Sequence, residues 1–73
     1  MSKIKLLDVV ALTEDVPEER LYEGQVGTVV EVYNNGEAFE VEFIDREGKT
    51  YALTTLEPRQ LLALHYEPLL IAA

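Results

Sequence analysis

Hydrophobic and polar residues alternate most cleanly between Ala38 and Ile44, where Glu40 and Glu42 interleave with Phe39, Val41 and Phe43. A period of two puts the three apolar side chains on one face of a strand and the two carboxylates on the other. Two turns, Asn34-Asn35-Gly36 and Asp45-Arg46-Glu47-Gly48-Lys49, divide the stretch from Val26 to Leu56 into three such runs. A two-residue loop at Asn35-Gly36 would set Val30 opposite Val41, Val32 opposite Phe39 and Thr28 opposite Phe43. A slip of one residue would put Val30 against Glu40, which the buried face forbids. In the second turn Gly48 suits the left-handed position of a three-residue loop, with Asp45 opposite Lys49. That register sets Phe43 beside Tyr51 and Val41 beside Leu53.

The flanking segments complete a five-strand pattern. Asp8 to Thr13 holds Val9, Val10 and Leu12 and reads as a first strand. Thr13 to Gly24 is acidic, has few apolar residues to bury, and is expected to be a long loop with a helical turn opened by Pro17. Glu57-Pro58-Arg59-Gln60 predicts a single helical turn, and Gln60 to Tyr66 a last strand. The expected fold is all-β: a small closed five-stranded barrel over residues 1–66, with a long acidic first loop and a single-turn helix before the last strand. Residues 67–73 form an apolar tail in which Leu69, Leu70 and Ile71 need a surface to cover them, either the barrel's own open end or a second chain.

Composition narrows the class. Seventy-three residues leave room for one small domain, and 48% hydrophobic against 27% charged residues is the balance of a folding chain. With 6 Lys+Arg against 14 Asp+Glu, the net charge of -8 repels phosphate backbones and anionic lipid heads. Neither nucleic acid nor membrane is therefore an expected partner. The chain has no cysteine, which fits a reducing compartment, and no run long enough to span a bilayer. A cytoplasmic location is expected.

Gly24-Gln-Val-Gly-Thr-Val-Val-Glu-Val32, followed by a hairpin and Glu40-Val-Glu-Phe43, resembles the SH3-like barrels that carry the KOW motif. Domains of that kind bind RNA or protein through basic loops, but the loops here are acidic, so RNA binding does not carry over. A second resemblance runs through Leu6-Leu-Asp-Val-Val-Ala-Leu12, the Gly24 and Glu40 segments, Gly48-Lys-Thr-Tyr-Ala-Leu53 and Gln60-Leu-Leu-Ala-Leu64. It is to a family of small bacterial proteins, common in cyanobacteria, catalogued as a domain of unknown function. Some members lie beside a second small gene, and this resemblance implies a possible toxin-and-antidote pairing.

The chemistry available for catalysis is thin. His65 is the one histidine and Ser2 the one serine, so neither a histidine metal site nor a nucleophilic triad can be assembled, and His65 reads as half-buried in the last strand. No enzyme activity, cofactor or metal is expected. Gly24 and Gly27 lack the spacing of a phosphate loop and read as a bend or bulge. One arrangement exceeds what solubility requires. The hairpin register opposes Glu31 to Glu40, with Glu42 on the same face, and like charges so placed cost a few tenths of a kcal/mol, roughly. Val29, Glu31, Tyr33, Glu40 and Glu42 are accordingly the expected contact surface of a protein-binding module for a basic partner. The competing expectation is a homo-oligomer held by Leu69, Leu70 and Ile71, and nucleic-acid binding of the KOW kind ranks third.

Overall fold

The computed structural model describes residues 3–65. It contains five strands, β1 (Val9–Leu12), β2 (Val26–Tyr33), β3 (Ala38–Ile44), β4 (Thr50–Leu56) and β5 (Leu61–Ala63), with single 3₁₀ turns at Pro17–Glu19 and Pro58–Gln60. All pair antiparallel in one sheet of order β4-β3-β2-β1-β5. The expected all-β architecture and its element order are therefore found. The expected closure is not, because β4 and β5 form the two edges and do not pair.

The sheet nevertheless curls. A flat five-stranded sheet would hold its outer strands about 19 Å apart. Only Glu57 to Gln60 separates β4 from β5, and most of that link is coiled in a turn rising about 2 Å per residue. The strands must bend toward each other, and one apolar cluster joins both edges: Leu56 of β4 and Leu61 of β5 pack with Val10, Val29, Val41 and Phe43. The link itself is held by Glu57 N–H donating to Gln60 Oε1 at 2.8 Å.

Two bulges change the expected registers. Near the first turn Val32 faces Phe39 and Glu31 faces Glu40, as the sequence predicts, but the ladder shifts at Val30 so that Val29 faces Val41 and Thr28 faces Glu42. The turn is longer than a two-residue loop: Tyr33 pairs with Ala38, and the Tyr33 carbonyl accepts from Gly36 and Glu37. Asn34, Asn35 and Gly36 all take positive φ, which is the reason for this composition. The second turn forms as expected, with Asp45 N–H donating to the Lys49 carbonyl at 2.8 Å and Gly48 at φ +83°. Beyond it the ladder shifts between Phe43 and Ile44, so Phe43 faces Ala52 and Val41 faces Thr54. An extra residue in one strand lets a curled sheet bend while its inner face stays apolar.

The acidic loop carries part of the core, contrary to its polar composition. Val16 and Leu21 exchange backbone hydrogen bonds across the first 3₁₀ turn and are 5% and 0% exposed. The loop is also fastened to the far end of the chain. Arg59 reaches Glu14 at 3.0 Å and Glu57 at 2.9 Å, while Thr13 Oγ1 donates to the Arg59 carbonyl at 2.7 Å. The hydrogen bond to Glu57 and the charge of Glu14 hold the Arg59 guanidinium above its ordinary pKa. The last strand is shorter than expected, and His65 lies beyond it and is exposed rather than half-buried. Leu69, Leu70 and Ile71 lie outside the described residues.

Candidate surface on the outer face of the hairpins

Four of the five residues expected to meet a partner are brought together on the outer face of β2 and β3. Glu31 stands directly opposite Glu40, Tyr33 opposite Ala38, and Glu42 lies two residues from Glu40 on the same side of β3. Val29 is not among them. The bulge at Val30 turns Val29 inward, where it is fully buried, and leaves Val30 on the partly exposed side. A one-residue slip reverses every side chain beyond it, so the sequence places the near half of the hairpin correctly and the far half upside down.

The register of β4 adds residues that pattern reasoning did not assign to this surface. Thr55 pairs with Glu40 and Leu53 with Glu42, so both stand on the outer face. Leu53 is 55% exposed and Ile44, at the end of β3, 52%. The run Leu53-Thr54-Thr55-Leu56 puts its two leucines on opposite faces, so pattern alone does not say which of them is outward, and the bulge near Tyr51 decides it.

Hydroxyl groups dress the carboxylates. Thr55 Oγ1 donates to Glu40 Oε1 at 2.6 Å, Tyr33 Oη donates to the same oxygen at 3.4 Å, and Thr50 Oγ1 donates to Glu42. Among the described residues no ion pair reaches Glu31, Glu40 or Glu42, since the three that form involve Asp8, Glu14 and Glu57. Partial burial, the charge of Glu40, the hydrogen bond to it and the charge of Glu31 together raise the Tyr33 phenol above its ordinary pKa. The result is a surface with uncompensated negative charge, flanked by exposed apolar side chains and one aromatic ring. Such a surface can accept lysine or arginine side chains while burying apolar area around them.

Elsewhere the chemistry is sparse. Among the described residues no group of three His, Cys, Asp or Glu side chains is placed to hold a metal. No helix among the described residues is long and apolar enough to cross a membrane. Gly27 has a packing role: a Cβ there would lie 2.7 Å from Val41 Cγ1 and 2.8 Å from the Glu42 carbonyl oxygen, so β2 lies this close to β3 only because that side chain is missing.

A family model described as a domain of unknown function (DUF4926) matches residues 6–63. No curated protein and no solved structure matches the chain.

Proposed function

The chain belongs to the family described as a domain of unknown function (DUF4926), and we propose that it is a non-catalytic protein-binding module that uses the outer face of its hairpins to hold a basic partner protein. The observation that carries this reading is the direct opposition of Glu31 and Glu40, with Glu42 beside them and no cation of the described chain in reach. Directly opposed like charges weaken a sheet. Their placement on a face that also exposes Tyr33 and Leu53 fits recognition better than stability.

The fold is of the SH3-like kind, a reading supported by the long loop between β1 and β2 and the 3₁₀ turn before β5. A cytoplasmic setting accords with the absence of cysteine and the strongly negative charge. One concrete partner class is a nuclease-like toxin, because an acidic surface can occupy a cleft built for phosphate.

The test is affinity capture from host lysate with the native chain and with a Glu31→Lys, Glu40→Lys, Glu42→Lys variant whose circular dichroism matches it. A basic protein held by the native chain and released by the variant is the expected result. Equal recovery by both removes this face from the function.

A further inference from the structure

The two edges of the sheet differ. β5 is three residues long, follows Pro58, and spends the Leu61 N–H on the Pro58 carbonyl, which leaves little for another strand to pair with. β4 runs seven residues from Thr50 to Leu56 with no charge and no proline. Among the described residues it pairs with β3 alone, and its backbone makes no hydrogen bond beyond that ladder. Every second residue of β4 therefore directs an N–H and a C=O toward open space. Exposed edges of this length are usually blunted by charge or proline, and here neither is used.

We infer that β4 is a strand-addition site, and that its occupant is an extended segment of the partner in which lysine or arginine alternates with apolar residues. The inference rests on the protein-binding reading above and gives that partner a backbone geometry. Charge complementarity selects the occupant. An added strand would lie about 10 Å from β3, two strand spacings away, with its outward side chains level with Leu53 and Thr55 and the carboxylates of Glu42 and Glu40 just behind them. The flexible stem of lysine or the fork of arginine reaches across one strand to such a carboxylate. Past Thr55 the edge opens on a cleft of about 670 Å³ whose walls include Glu18, Glu19, Glu37 and Glu57; Arg59 on the same wall pairs with Glu57, and the other three carboxylates continue the negative field along the path of the segment. The net charge of -8 opposes a second copy of the chain at this edge.

The experiment uses the full chain and two synthetic peptides that alternate lysine and valine over the length of β4, one plain and one N-methylated at every residue, so that neither of its edges can donate. Both carry the same charge, but only the plain peptide can extend the ladder. The expected result is that the plain peptide slows hydrogen exchange at those β4 amides that exchange freely in the unbound chain, and that N-methylation weakens binding about tenfold, the scale set by lost main-chain hydrogen bonds. Glu40→Gln with Glu42→Gln should weaken the plain peptide as well. Equal binding of both peptides, protection at β5 in place of β4, or no binding of the plain peptide each overturns the inference. Failure of the protein-binding reading shows separately, as native and charge-reversed chains recovering the same proteins from lysate.

Discussion

Along β3, Phe39, Val41 and Phe43 turn inward and are at most 2% exposed, while Glu40 and Glu42 between them face out and oppose or adjoin a third carboxylate. Inside, the side chains fit what they touch: Val29, Val41 and Phe43 fill the centre, and Gly27 leaves room for the Val41 side chain and the Glu42 carbonyl beside it. Outside, the arrangement forgoes stability that a single lysine would supply. On the binding-module proposal the two faces answer to different demands, the inner to folding and the outer to a partner.

The sharpest way to break the inner face is Phe43→Ala. The side chain is fully buried at the centre of the core, and its loss should cost about 3–5 kcal/mol, read as a large fall in the urea midpoint. In a domain of this size that approaches the whole stability. Leu21→Ala asks whether the acidic loop belongs to the same interior. It should cost about 2–5 kcal/mol; a fall of only a few tenths would mean that the loop rests on the core without being part of it. Gly27→Ala adds volume in place of removing it, and the contacts of a new Cβ with Val41 and the Glu42 carbonyl should cost about 1–3 kcal/mol.

These positions also divide what the chain's sequence makes legible from what it does not. Phe39, Val41 and Phe43 are inward by simple alternation, and Gly48 with Asp45 and Lys49 defines its turn through local backbone chemistry. The opposition of Glu31 and Glu40 follows as well, because it lies between the first turn and the bulge. Val29 does not. A bulge is set by how the whole sheet curls around its core, and no local signal near Val29-Val30 marks which valine is the extra residue. Val16 and Leu21 were hidden for a related reason: two apolar residues in an acidic stretch carry no periodicity, and their burial is set by where the loop lies on the core, which local pattern does not encode. The open edge at β4 was likewise unreadable, since patterning predicts strands but not whether the first and last of them meet.

On the outer face the expected effects are smaller and one has the opposite sign. Glu31 makes no side-chain hydrogen bond among the described residues, so Glu31→Gln removes repulsion and nothing else. Stability should rise by about 0.2–0.5 kcal/mol at low salt, and the gain should shrink as salt screens the pair. A loss of stability would show that Glu31 is held by a contact of structural value.

The smallest effect tests the electrostatics of the patch directly. Tyr33 is partly buried and donates its phenol to Glu40, with Glu31 nearby, and all of these keep the neutral form favoured. A group whose pKa is raised in the folded state binds its proton more tightly there than in the unfolded chain. The stability linked to it is therefore complete below the ordinary tyrosine range and is lost as pH rises through the folded-state value. Glu40→Gln keeps a polar acceptor and removes the charge, so the Tyr33 ring carbons should titrate at lower pH in that variant when followed by NMR, and the alkaline fall in stability should become shallower. An unchanged titration would mean that the Glu40 carboxylate is already neutralised in solution by a counter-charge. The outer face would then lack the unbalanced field that distinguishes it from the inner one.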